Sequence, residues 1–566
     1  MRERNLKSCS PFNHKKQIKI LTILLHTFIP SKLNNWKHFS LGATSIWIVG
    51  PHENIVNPII KKIATTKSSD INEIKSLLNS IDGHFCAVIL SESYILAAVD
   101  CIRTTPIFYT MENESLILSP QANLIAEKTS RSINSDQLIA FRMSGYVTGE
   151  KTLWDEIFGL NPGSFLLFSN KNPNITIQNY FTYQPWLIKK ENHPNYDQEL
   201  EHHISELIKK IISDVNGRRI IIPLSAGYDS RLIASGLKEW GYENVKCFAY
   251  GLKGNFEIKA SKKIAKKLGF DWQEVAINRK NARDLFQSDC FKDIISNTLD
   301  GCSVIGNQDI YVINYLKNNG YFNKDDVIIT GQTGDFISGG HISSAPENLK
   351  EKKINHPDFD ILFTSFFTKH YSLWGSLANK DNQLIIKNLL LNQVKFIGSE
   401  NIYPYGVFEL LEFENRQAKY VTNFQRIYDY YEINWLLPLW GKNFIEFWSD
   451  VPASEKVNQK LYKKVLKDMN MGGVWGSSFE FEYSPQKGLV HFIRQLSKIL
   501  FLFKGKDKWS KMDRKFFSYW NDIICAYSVV PYKDVLSNHQ DPRNSVSWNA
   551  LIVENALFGS SWQDNN

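Results

Sequence analysis

Pro223-Leu224-Ser225-Ala226-Gly227-Tyr228-Asp229-Ser230 is a small-residue loop set between the apolar β-branched run Ile220-Ile221-Ile222 and a helical stretch from Ser230 to Trp240. A buried strand that turns through small residues into a helix leaves unpaired backbone N–H groups at the helix start, which makes an anion site. Ala226 and Gly227 let the backbone approach a phosphate closely, and Ser225 and Ser230 bring hydroxyl donors. Asp229 would repel a phosphate unless a cation intervened, so the loop implies Mg2+, which favours carboxylate and phosphate oxygens. A serine and aspartate helix cap is the competing reading of the same residues. No G-x-x-x-x-G-K-[ST] motif is present, so this is not the nucleoside-triphosphatase loop.

Outward from the loop, Val245 to Tyr250 reads as a second strand and Glu257 to Leu268 as a second helix, with Ile258, Ile264, Ala265 and Leu268 at helical spacing. A helical stretch, Glu199 to Asp214, precedes the loop, and Val327 to Thr330 reads as a later strand. Strands alternating with helices predict a parallel sheet in an α/β domain. Towards the N-terminus the pattern differs. Short runs at Ser45–Val49, Cys86–Leu90, Ile95–Val99, Ser115–Ser119 and Phe165–Phe168 predict a mainly β domain up to about residue 182. The polar stretch from Gln184 to Gln198, with Pro185 and Pro194, is the linker candidate. Leu489 to Phe503 is apolar with Arg494 and Lys498 on a second face, and it reads as a core helix of a C-terminal extension rather than a membrane-surface helix.

A chain of 566 residues exceeds one hydrophobic core and predicts two to four domains. Its 43% hydrophobic and 22% charged content excludes a disordered or fibrous class. The net charge of +8 is spread over many lysines rather than gathered in a block, which argues against nucleic acid as partner. Seven scattered cysteines without a C-x-x-C pair indicate neither a zinc site nor a disulfide framework and fit a cytoplasmic setting. Ile18 to Pro30, the longest apolar stretch of the basic start, is interrupted by Lys19, Thr22, His26 and Thr27 and reads as a buried strand or helix, not a signal peptide. Nothing approaches the ~18 uninterrupted apolar residues of a membrane span.

The loop resembles the S-G-G-x-D-S pyrophosphate loop of enzymes that split ATP between its α and β phosphates. Cys247 to Leu252 and Lys259 to Gly269 look like the second strand and helix of the glutamine-hydrolysing asparagine synthetase family. Thr330-Gly331-Gln332-Thr333-Gly334-Asp335-Phe336-Ile337-Ser338-Gly339-Gly340 resembles its G-E-G-x-D-E-x-x-G-G segment. Glu432 to Gly441, with Pro438-Leu439-Trp440, and Lys463-Lys464-Val465-Leu466 are similar to its E-x-R-x-P-F-L-D and K-x-x-L-R. Ile81 to Phe85, Asp100 with Pro106 to Tyr109, and Thr152 to Gly163 resemble its glutaminase domain. The resemblance, over roughly residues 40–470, implies an α+β glutaminase-like domain of β-sandwich, Ntn type at 1–182 and a linker at 183–200. After these come an α/β parallel-sheet PP-loop synthetase domain at 201–470 and a helical extension at 471–566.

The family's glutaminase needs a cysteine as the first mature residue, its α-amino group acting as base. Residue 2 here is Arg2, and Cys9 is followed by Ser10-Pro11-Phe12, so the glutaminase-like domain is expected to be inactive. Gln332 stands for a glutamate and cannot take a proton at neutral pH. Phe336 replaces an acidic residue, and Gly441 an aspartate. The reaction implied is attack of a carboxylate on the α-phosphate of Mg·ATP, then of an amine on the acyl adenylate. Its pyrophosphate would rest on Ser225, Ala226, Gly227 and Ser230, its nucleotide on Leu224, Tyr250 and Gly331, and its Mg2+ on Asp229 and Asp335. Lys463 and Gln332 are the catalytic candidates. The partners expected are a small carboxylate such as aspartate or a sugar uronate, ammonia or another amine, and a separate glutaminase as one source of that ammonia; a non-catalytic nucleotide-binding or scaffold role is the reading of another class.

Overall fold

The computed structural model describes residues 26–29, 33, 36–67, 70–169, 172–187, 195–342, 359–397, 402–482, 488–560 and 563. Arg2, Cys9, residues 18–25 and 30 of the apolar stretch from Ile18 to Pro30, and 188–194 of the linker lie outside them.

Period-two alternation builds the N-terminal domain. A six-stranded antiparallel sheet runs in the order Asn172–Asn179, Ser164–Ser169, Tyr94–Val99, Cys86–Leu90, Thr44–Val49 and Lys37–Leu41. Its one face sends Ile46, Ile89, Leu96 and Phe165 against two helices, Glu53–Thr65 and Ile71–Asn79, which present Val56, Ile60, Ile63, Ile74 and Leu78. Its other face sends Val88, Ile95, Ala97 and Leu166 against Tyr109, Leu116 and Leu118 of a four-stranded sheet. The far side of that second sheet, with Phe108 and Ile117, packs on the helix Ala122–Thr129. The layers are therefore helix, sheet, sheet, helix. The mainly β expectation holds for the two stacked sheets and omits the helices that cover them.

The second domain is built on five parallel strands in the order Asp271–Ile277, Val245–Leu252, Ile220–Pro223, Val327–Ile329 and Asn434–Leu436. Ile220, Ile221 and Ile222 are fully buried, as a central parallel strand covered on both faces requires. Helices Tyr196–Val215, Tyr228–Glu239 and Phe256–Leu268 cover the sheet. Two of its strands, Asp271–Ile277 and Asn434–Leu436, were not anticipated from the sequence.

The C-terminal residues add helices Leu489–Leu500, Lys506–Asn521, Tyr532–Ser537 and Ser545–Phe558. The last reaches the N-terminal domain, where Glu554 pairs with Arg142 at 2.5 Å. The expectation that Leu489 to Phe503 is a core helix is corrected: no residue of Leu489–Leu500 is buried, and its apolar side faces solvent.

A buried cation joins the two large domains. Lys419, in a π-helical stretch at Phe413–Val421, donates from Nζ to the carbonyls of Val147, at 3.1 Å, and Gly149, at 2.8 Å, and to Asn415 Oδ1, at 3.2 Å. Burial first, and the Arg103 charge with it, pulls the Lys419 ammonium down to about 7. The unfolded chain keeps that proton to about pH 10.4. Between these values the unfolded state binds more protons, so this group makes stability rise with pH. Denaturant midpoints measured at about pH 7 and about pH 9 are expected to show that rise in the natural protein and a smaller one in Lys419→Met.

Candidate functional site

The strand Ile220–Pro223 ends where the chain must turn into the helix Tyr228–Glu239. That helix begins at Gly227 with no side-chain cap, so the competing cap reading does not hold, and its first N–H groups remain for a ligand or water. The loop is braced from within: Ser225 N–H donates to Ser230 Oγ at 3.0 Å, Gly227 N–H to Ser225 Oγ at 3.1 Å, and the two hydroxyls lie 3.0 Å apart. Ala226 N–H donates to Glu257 Oε2 at 2.7 Å, so this small-residue turn already receives a carboxylate. Below it, the Arg231 guanidinium holds the Ala226 carbonyl and lies 5.1 and 5.2 Å from the ring centres of Trp475 and Phe481.

A second loop meets the first almost without a gap. A Cβ on Gly331 would lie 2.5 Å from the Ser230 nitrogen, and one on Gly334 would overlap the Asp229 carboxylate. Glycine at both positions lets the Asp229 carboxylate rest on the following turn, where Oδ2 accepts the Asp335 N–H at 3.0 Å and Oδ1 the Tyr462 hydroxyl at 3.1 Å. Thr333 carries the turn at φ 82°, left-handed backbone that costs a threonine energy.

These loops open on a cavity of about 510 Å3. Leu224, Ser225, Gly227, Asp229, Ser230, Tyr250, Gly331, Gln332 and Asp335 all line it, so nearly every predicted residue converges there. Ala226 contributes its backbone to the loop without lining the cavity. Gln332 Oε1 accepts from Gln425 at 3.3 Å. Lys463 is not brought to the cavity: its ammonium donates to the Asn458 carbonyl at 2.8 Å and sits 5.6 Å from the Tyr228 ring centre. Its neighbour Tyr462 is the residue that reaches Asp229. Gly441 lines a different cavity, of about 560 Å3, between the domains, together with His52, His84 and Asp214.

The electrostatics follow from two carboxylates sharing the floor. Burial, and then the Asp335 charge, pushes the Asp229 carboxyl well above the usual carboxylate range, against the Tyr462 hydroxyl and the Asp335 N–H. Burial disfavours the charge of Asp335 as well, but His341 Nε2, at 3.2 Å, holds that carboxyl below its usual value. His341 is itself lowered by burial and raised more by Glu412 and Asp335, to about 9. Glu412 is a buried hub, with His341 at 2.5 Å, Lys369 at 3.0 Å, His370 at 3.2 Å and Arg416 at 3.5 Å. Sequence reasoning missed this hub and also Glu257, Arg416 and Asp309. Asp309 lines the cavity and accepts the Tyr250 hydroxyl at 2.6 Å.

The donor set fits Mg2+. Burial first, and then the second carboxylate facing it, raise the proton affinity of Asp229; the second of these is a condition that a divalent cation reverses. Among the described residues no group of three or more His, Cys, Asp or Glu side chains could hold a metal. Phosphate oxygens and water would complete the shell, as Mg2+ favours. The cavity's far wall comes from the C-terminal extension through Ile523 and Ile524. The Ile523 carbonyl accepts the Leu252 N–H at 2.7 Å.

Residues 215–472 match the model of the asparagine synthase family. A comparison with curated proteins finds no match. Among solved structures, the chain is similar to an allosteric regulatory enzyme of purine biosynthesis at 8% identity, covering 42% of this chain and 62% of that one with a TM-score of 0.17. It is also similar to a glutamine phosphoribosylpyrophosphate amidotransferase from B. subtilis complexed with ADP and GMP, at 10% identity, 52% and 63% coverage and a TM-score of 0.17. The chain thus spans less than two thirds of either length. No helix among the described residues is long and apolar enough to cross a membrane.

The fit between the loops is testable by volume. Gly334→Ala is expected to push the Asp229 carboxylate off the Asp335 N–H and to cost about 1–3 kcal/mol of stability in denaturant unfolding. Gly476→Ala, where a Cβ meets nothing within 4 Å, is expected to stay within about 0.5 kcal/mol of the natural protein.

Proposed function

We propose, on the premise that residues 215–472 belong to the asparagine synthase family, that this chain is an ATP-dependent amide-forming ligase. A substrate carboxylate oxygen attacks the α-phosphorus of ATP, pyrophosphate leaves, and an amine then displaces AMP from the acyl adenylate. The observation that carries the reading is the meeting of the Ser225–Ser230 loop and the Gly331–Asp335 turn, with both aspartates, on one cavity.

The chain's own groups divide the work. The N–H groups at the start of the helix Tyr228–Glu239 and the hydroxyls of Ser225 and Ser230 receive pyrophosphate, while Leu224, Tyr250 and Gly331 border the nucleotide. Asp229 and Asp335 hold Mg2+, which when bound neutralises phosphate charge. His341, carrying charge between Asp335 and Glu412, fixes the orientation of Asp335. Arg416 lines the cavity, and its guanidinium lies 3.5 Å from Glu412 and 5.8 Å from the Tyr420 ring centre. It is the group for the acceptor carboxylate, which its planar fork matches. Gln332 orients by hydrogen bonding and takes no proton, so the amine arrives unprotonated or loses its proton to water.

The acceptor is aspartate or, with glutamine where the family has glutamate at 332, a sugar uronate of the kind amidated in surface polysaccharides. Purified protein with Mg·ATP, ammonia and either aspartate or a panel of uronates is expected to release AMP and pyrophosphate with one of them. The absence of AMP release with every carboxylate tried would leave a nucleotide-binding or scaffold role. Asp229→Asn and Asp335→Asn are expected to lower turnover about a hundredfold or more. Arg416→Ala is expected to raise KM for the carboxylate about 10- to 100-fold while leaving ATP binding unchanged. Glutamine in place of ammonia is expected to be a poor donor.

A further inference from the structure

At 100° per residue, Leu489, Phe492, Ile493, Leu496, Ile499 and Leu500 occupy one arc about 120° wide on the helix Leu489–Leu500. All six are 45–75% exposed. On the opposite side Arg494 holds Asp513 of the next helix through two bonds, at 2.6 and 2.8 Å. The polar side thus faces the protein and the apolar side faces out, the inverse of a helix that packs on a core. Phe503, 97% exposed, continues the apolar surface beyond the helix end.

The surroundings are cationic. Residues 489–516 carry eight Lys and Arg against two acids, Asp507 and Asp513. Lys498, Lys504, Lys506, Lys508 and Lys511 are exposed, and none pairs with a carboxylate among the described residues. An apolar arc bordered by lysines is the pattern of a helix lying in a bilayer interface, with its hydrocarbon in the acyl boundary and its charges against lipid phosphates. A second copy of this chain would bring like charge to like, and an ordinary protein groove gains nothing from so many unpaired lysines.

We propose that the helix Leu489–Leu500 and the lysines after it dock this protein on the surface of an anionic bilayer without spanning it. The following helix, Lys506–Asn521, leads from that face to Ile523 in the cavity wall. The inference rests on the exposed face alone and stands or falls apart from the ligase reading.

Full-length protein mixed with extruded vesicles and floated through a density gradient tests it. The protein is expected to float with vesicles containing phosphatidylglycerol, to remain below with pure phosphatidylcholine, and to be released as ionic strength rises. The triple variant Phe492→Ser, Leu496→Ser, Ile499→Ser is expected to float about tenfold less, with its circular dichroism and unfolding midpoint retained. Lys504→Glu with Lys508→Glu is expected to weaken flotation on the anionic vesicles. Failure to float with anionic vesicles, or equal flotation of the triple variant, would overturn the proposal. A concentration-dependent dimer in sedimentation equilibrium that the triple variant abolishes would overturn it in favour of self-association.

Discussion

Asp229 rests its carboxylate on the backbone of Gly334, accepting the Asp335 N–H, and the geometry of the cavity depends on that contact. It locks the end of one parallel strand to the end of its neighbour in the sheet, since Ile220–Pro223 leads into the first loop and Val327–Ile329 into the second. A side chain on either glycine would part the loops. Because the contact also brings a second carboxylate beside the first, it stores electrostatic repulsion at the cavity floor. Tyr462, His341 and, behind His341, Glu412 offset it.

That arrangement explains why so much buried charge lies on one side of the site. Glu412 would be costly in an apolar interior, but His341, Lys369, His370 and Arg416 surround it and offset its charge. Its consequence is directional: His341 is held charged, and through it Asp335 is held ionised and in place. Asp229, lacking such a partner, has its carboxyl raised by burial and then by the Asp335 charge.

The strands and helices around the Ser225–Ser230 loop were legible because the local signals agree. Three β-branched residues, then small residues, then an amphipathic run can hardly form anything else, and the G-Q-T-G-D segment could be matched by motif. Asn434–Leu436 was not legible, since three residues carry no periodicity. Glu412, between Glu409 and Glu414, and Asp309, after Asn307-Gln308, belong to no motif, and only the fold brings His341, Lys369 and His370 to the one and Tyr250 to the other. The helices Glu53–Thr65 and Ile71–Asn79 did carry a signal, in the spacing of Val56, Ile60 and Ile63 and of Ile74 and Leu78, which the neighbouring strand patterns obscured. The helix Leu489–Leu500 shows the limit of pattern: an apolar arc declares that something will cover it, and only the packing of Arg494 on Asp513 tells which way it faces.

The wall supplied by Ile523 and Ile524 has a consequence for how the molecule is made. Phe424 is the last lining residue to leave the ribosome before the C-terminal extension, and the cavity then still lacks a side, because the strand Val245–Leu252 waits for the Ile523 carbonyl to receive the Leu252 N–H. The pocket therefore stays open on that side until residues 523 and 524 have been added.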